Sequence, residues 1–139
     1  MRRITIGLSA CSLGVLAALN ATSALAAEPG QVQFNNRCRT CHSVREGDHR
    51  LGPSLHLVYG RTAGKSSFPA YSDAMKNAGF EWDAEKLNKY IENPDAVVPG
   101  HNMRPYPGVS DPEEREKIVG YLKAQSEKES RTSDAGGAK

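Results

Sequence analysis

Cys38-Arg39-Thr40-Cys41-His42 is the stretch on which the reading of this 139-residue chain turns. Two cysteines on one turn can reach the two vinyl groups of a porphyrin as thioethers, and the residue that follows offers an imidazole to its iron. Half of a zinc site and a thioredoxin-like redox pair are the competing readings of such a spacing. Zinc needs four ligands, yet no cysteine follows Cys41, and His49, His56 and His101 are not spaced as a ligating histidine pair. A redox pair would sit after a strand in alternating strands and helices, and nothing in the chain has that pattern. The motif therefore points to one haem c, covalent through Cys38 and Cys41.

Residues 1–26 read as a cleaved export signal. Arg2 and Arg3 give a positive start, residues 4–21 are mostly apolar, and Ser23-Ala24-Leu25-Ala26 has the small-x-small pattern of a cleavage site. An uncleaved anchor competes, but Ser, Thr and Asn interrupt the run. Leu8-Ser9-Ala10-Cys11 resembles a lipoprotein box, although the apolar stretch continues well past Cys11. Export implies a periplasmic location, with residues 27–126 as the folded domain and residues 127–139 as a flexible tail.

Losing Arg2 and Arg3 takes Lys plus Arg from 18 to 16, against 16 acids, so the exported chain is formally neutral. Such a surface gives no ground for a nucleic-acid partner. Its two cysteines both lie in the motif, which leaves none for a structural disulfide. With one Trp, five Tyr and three Phe the apolar core is thin. A buried porphyrin would thicken it, and the burial of its faces would add to folding free energy.

Around the motif the pattern predicts an all-α fold of about four or five short helices. Residues 29–36 can form a first helix, with Pro29 in its first turn and Val32 and Phe34 as apolar content. Ser72 can cap a short helix to Asn77, and Asp83 can cap one carrying Leu87, Tyr90 and Ile91 on one face, stopped by Pro94. Residues 95–107 hold three prolines and Gly100, which predicts an irregular connection. Asp111 followed by Pro112, Glu113 and Glu114 is a strong helix start. Ile118, Tyr121, Leu122 and Gln125 then mark one side, and beyond Ser126 periodicity ends.

One histidine leaves the far side of the iron open, and what fills it decides the chemistry. Met75 and Met103 are the thioether candidates of the exported chain, and His49, His56 and His101 the imidazole candidates. Met103 lies in a segment irregular enough to wrap a planar group. Met75 falls on a short helix, where methionine is more often core filler. His101, two residues from Met103, could compete for the iron.

Several motifs in order make residues 30–123 similar to the class I cytochromes c, of the mitochondrial type and its bacterial periplasmic relatives. They are Cys38-Arg39-Thr40-Cys41-His42, Gly52-Pro53-Ser54-Leu55, Tyr59-Gly60-Arg61, Tyr71-Ser72-Asp73-Ala74, Trp82, Tyr90-Ile91-Glu92-Asn93-Pro94, Pro99-Gly100 with Met103, and Tyr121-Leu122. The resemblance implies a small fold wrapped around one haem, with the first helix, at Gly30 and Phe34, crossing the last at Tyr121. It implies His42 and Met103 as axial ligands and the Pro53 carbonyl as acceptor for the other imidazole N–H. It assigns Tyr90 to the methionine sulfur, and Arg61, Tyr71 and Trp82 to a buried propionate.

The chain departs from the family pattern in places. His101 stands where a threonine is usual, Met75 where an asparagine is usual, and Leu57 where a glycine is common. The segment after Met103 is longer than in mitochondrial relatives. Asp95, Ala96 and Asn102 replace lysines that ring the haem edge, while Arg37, Arg39, Arg45 and Arg104 keep some positive charge there.

The function this implies is that of a soluble, monomeric, periplasmic single-haem electron carrier and not an enzyme. Its partners would be redox proteins, a respiratory or dehydrogenase donor and a terminal oxidase or reductase, with transient docking at a membrane surface. A haem enzyme or sensor with a labile distal ligand, or a cytochrome subunit dedicated to one dehydrogenase, is the alternative that His101 and Met75 motivate.

Overall fold

Local signals set the helix starts. Asp83 Oδ1 accepts from the Lys86 N–H at 2.7 Å and opens the helix that buries Leu87, Tyr90 and Ile91. Ser72 Oγ accepts from the Met75 N–H at 3.1 Å in the same way. The computed structural model describes residues 28–136, so the export-signal reading of residues 1–26 lies outside the described residues.

Within them the helices are α1 (Pro29–Arg37), α2 (Asp73–Lys76), α3 (Ala84–Glu92), α4 (Pro94–Val97) and α5 (Pro112–Gly136). No strand forms among the described residues. Residues 60–63 and 80–82 pair only briefly, through Gly60 N–H to Trp82 O at 2.7 Å, Trp82 N–H to Arg61 O at 3.0 Å and one bridge between Thr62 and Glu81. Among the described residues no helix is long and apolar enough to cross a membrane.

The helices pack α1 on α5 and α3 on α4 and α5. Gly30 is what lets α1 approach α5. A Cβ there would lie 2.8 Å from the Tyr121 Cβ and would overlap the Lys117 carbonyl oxygen. The Phe34 and Tyr121 rings meet with centroids 5.4 Å apart. At the rim, Arg37 grips Glu114 as a fork, at 2.9 and 3.0 Å. Val32, with Phe34 the apolar content of α1, is 41% exposed, because α1 turns only a narrow stripe toward α5.

Two features exceed the sequence pattern. Asn93 ends α3, and Pro94 then begins α4 inside the segment expected to be irregular; its fixed φ and missing N–H suit a first helical position. Helix α5 continues past Ser126 to Gly136, where the sequence suggested a tail. Ser126 is a tether rather than an end, since its hydroxyl donates to Leu122 O at 3.0 Å and accepts from the Tyr59 N–H at 3.2 Å. Beyond it the residues are nearly all exposed, so the helix has no face to bury and leaves no periodicity to read. Extending a formed helix needs no new nucleus, which is why so polar a segment can follow on.

Arg115 carries the α3–α5 contact. It is buried, yet each of its three nitrogens has a partner: Nε donates to Asn88 Oδ1 at 2.9 Å, Nη1 to the carbonyls of Val109 and Ser110 at 2.8 Å each, and Nη2 lies beside Glu92 at 3.3 Å. Such a charge is tolerated only with this pairing.

Gly30→Ala is expected to lower the stability of the haem-loaded protein by about 1–3 kcal/mol through overpacking of the α1–α5 crossing. Guanidinium denaturation followed by far-UV circular dichroism measures it, and an unchanged midpoint would contradict the crossing geometry.

Candidate functional site

Helix α1 ends where the motif begins. The N–H groups of Cys38 and Arg39 both donate to Phe34 O, and those of Cys41 and His42 to Cys38 O. This tight turn places Cys38 and Cys41 as two unbridged thiols, each partly buried. Desolvation by burial, with Cys41 nearby, pushes the Cys38 thiol up to about 12. A nucleophilic redox thiol needs the opposite shift, whereas an uncharged sulfur suits a thioether.

His42 is buried, and its Nδ1–H donates to the Pro53 carbonyl at 2.8 Å. Burial lowers its pKa, with the bond to Pro53 opposing, so the ring is held neutral and Nε2 is its free acceptor. Gly52 permits this placement. A Cβ there would overlap the imidazole Cε1 and lie 2.9 Å from Nδ1.

Trp82 and Tyr90 are buried edge to face, their ring centroids 5.0 Å apart. Among the described residues, neither the Trp82 indole N–H nor the Tyr90 hydroxyl has a hydrogen-bond partner. Every fully buried side-chain nitrogen or oxygen in that set is paired, so both of these donors reach accessible space. Burial raises the Tyr90 pKa, which keeps its hydroxyl a donor.

Arg61 donates to His56 O at 2.7 Å and to Ser54 O at 3.2 Å, leaving further N–H groups for another acceptor. Its pKa is lowered by burial, against the pull of Tyr71. The Tyr71 hydroxyl pairs with Ser66 Oγ at 2.7 Å. These donors are what a buried anionic group would require.

Of the methionines, Met75 is buried on α2 as core. Met103 is half-buried against the same core, on a loop. His101 is buried beside Tyr90, its ring centroid 5.8 Å away, and its Nδ1 accepts the Met103 N–H at 2.9 Å. His49 accepts from the Ser54 N–H at 3.0 Å and pairs with Ser67 at 2.9 Å, and is thus engaged locally. Leu57 takes a left-handed φ of 51°, the conformation that a glycine would adopt without strain.

The cytochrome c family model matches residues 27–126. The chain belongs to the cytochrome c family. It is 43% identical over 97 residues to a cytochrome c of Euglena viridis, covering 70% of this chain and 94% of that one. To a cytochrome c of Ginkgo biloba it is 35% identical over 101 residues, covering 72% and 88%. Cytochrome cH from Methylobacterium extorquens has a similar structure, with a TM-score of 0.62 and 36% identity over 69% of this chain and 95% of that one.

Membership makes this a single-haem electron carrier with haem c covalently attached through Cys38 and Cys41. The residues present fit that group: two unbridged thiols on one turn, a neutral imidazole with Nε2 free, and unpaired donors on Trp82 and Tyr90.

Sequence reasoning missed Gly52 as a spacer for the His42 ring, and it missed Tyr106, whose hydroxyl donates to Ile91 O at 2.7 Å and fastens the end of the Met103 loop. Gly52-Pro53 at the end of a polar loop was the available signal for the first. Nothing local marks the second, which joins positions far apart in the chain.

Gly52→Ala is expected to displace the His42 ring and lower holoprotein stability by about 1–3 kcal/mol. Denaturation midpoints, recorded with the visible absorption spectrum, test it; wild-type values in both would show that the ring has room to spare.

Proposed function

We propose that this cytochrome c is a periplasmic carrier of single electrons whose iron is closed on both sides, by His42 Nε2 and the Met103 sulfur. One observation carries the reading. Both nitrogens of His101, the rival to Met103, are turned to protein: Nδ1 accepts the Met103 N–H at 2.9 Å, and Nε2 faces Asp95 Oδ1 at 3.4 Å. With Met75 buried in α2, Met103 is the thioether left to ligate.

Bound haem c supplies the Fe(II)/Fe(III) couple, and sulfur ligation favours the reduced state relative to a second imidazole. The chain's own residues do the rest. Pro53 holds the His42 tautomer and ring plane. Arg61, Tyr71 and Trp82 are assigned to a buried propionate, and the Tyr90 hydroxyl to the Met103 sulfur. Two protein ligands leave no coordination position for a substrate, so the reading is a carrier and not an enzyme.

Partners are redox proteins, met beside the attachment turn. Only part of the positive charge there is free. Arg37 is taken by Glu114 and Arg104 by Asp95, whereas Arg39 and Arg45 are exposed. The exported chain carries equal numbers of cations and acids, so electrostatic steering is weak.

Oxidised wild-type protein is expected to show the weak far-red band of sulfur-to-iron charge transfer. Met103→Ala is expected to abolish it and to lower the midpoint potential by on the order of 0.1–0.2 V, within the roughly 0.8 V that axial ligands span. Survival of the band in the variant would overturn the assignment. In stopped-flow reduction by a protein donor, the rate is expected to fall by less than about tenfold between low and physiological salt; a steeper fall would mean a strongly charged docking face.

A further inference from the structure

Asp95 stands on α4, where one carboxylate meets the residues on both sides of Met103. Arg104 Nη2 donates to Oδ1 at 2.8 Å and to Oδ2 at 3.0 Å. His101 Nε2 lies 3.4 Å from the same Oδ1, while His101 Nδ1 holds the Met103 N–H. The ring nitrogen that accepts a backbone N–H carries no proton, so in the neutral ring the proton is on Nε2, facing Asp95.

The loop has other fastenings, but none that joins the residues on both sides of Met103. Asn102 Nδ2 reaches Ala70 O at a long 3.3 Å, and Tyr106 ties the loop further on through Ile91 O. On the side that Asp95 spans there is no packed wall. A cleft of about 330 Å³ lies there, bordered by Glu92, Asp95, His101, Arg104 and Tyr106. The carboxylate therefore bridges water-accessible space rather than sealing a core.

We propose that Asp95 is a positioning residue that clasps the Met103 loop, and that the clasp sets how readily a small external ligand displaces the methionine from the iron. The inference rests on Met103 being the axial ligand. Asp95 touches neither iron nor sulfur; it acts through Arg104 and His101. Its side chain and that of Arg104 are 52% and 62% exposed, so the pair contributes little to global stability. A local opening that frees only this loop nevertheless has to break it. The clasp therefore governs loop opening more than unfolding.

The test uses oxidised holoprotein and imidazole as the probe, titrated while the far-red sulfur–iron band is followed. Asp95→Asn and Arg104→Gln are each expected to raise the apparent imidazole affinity roughly two- to five-fold, the range an exposed ion pair can supply. The double variant is expected to bind no more tightly than Asp95→Asn alone, because Arg104→Gln removes only a contact that Asp95→Asn has already broken. Guanidinium midpoints should stay at the wild-type value. Wild-type affinity in both single variants, or multiplying effects in the double, would overturn the clasp while leaving Met103 ligation intact. Absence of the band from the wild type would overturn the ligation and the clasp together.

Discussion

The hydrogen bond from His42 Nδ1 to the Pro53 carbonyl, 2.8 Å long, is the constraint to which the rest of the structure answers. It fixes the imidazole proton on one side and so decides which nitrogen can serve as a ligand. Making it requires the chain to turn back over the ring within eleven residues, and Gly52 is the position where that return passes too close for any side chain. The intervening loop is kept in register by bonds of its own, from Gly52 N–H to Cys41 O at 2.8 Å and from Leu55 N–H to Ser43 O at 2.7 Å.

Upstream, the α1–α5 crossing holds the turn that carries Cys38 and Cys41. Gly30 sets the distance, Phe34 and Tyr121 fill the contact, and the Arg37–Glu114 fork closes its rim one residue before Cys38. The last helix thus positions the first cysteine, although the two are far apart in sequence. The same helix reaches the opposite part of the molecule through Arg115, whose guanidinium gathers α3 and the carbonyls of Val109 and Ser110. Helix packing and the site are therefore one construction.

Much of this was legible in the residues because its causes are local. Ser72, Asp83 and Asp111 act as caps within three positions of themselves, and the buried face of α3 follows from i, i+3, i+4 spacing. The attachment motif is legible for the same reason. What escaped depends on partners remote in the chain. The burial of Arg115 has no local mark, since Asn88 and Val109 enclose it only in the fold, and the apolar Val32 stays exposed because α1 makes a narrow contact. Helix α4 was hidden by Pro94, which ends one helix and begins the next. The part of α5 beyond Ser126 was hidden because apolar periodicity reports burial, and this segment buries almost nothing.

The paired cysteines have a consequence for what dilution can do. A cofactor held only by contacts leaves when its concentration falls well below its dissociation constant, and the stabilisation it provides falls with it. Two thioether bonds replace that concentration with a fixed effective one, set by the chain itself. Unfolding then disrupts the packing around the group without releasing it, and refolding finds it still attached to the turn after α1. A thin core in a dilute compartment can thus depend on a porphyrin for stability without depending on its supply.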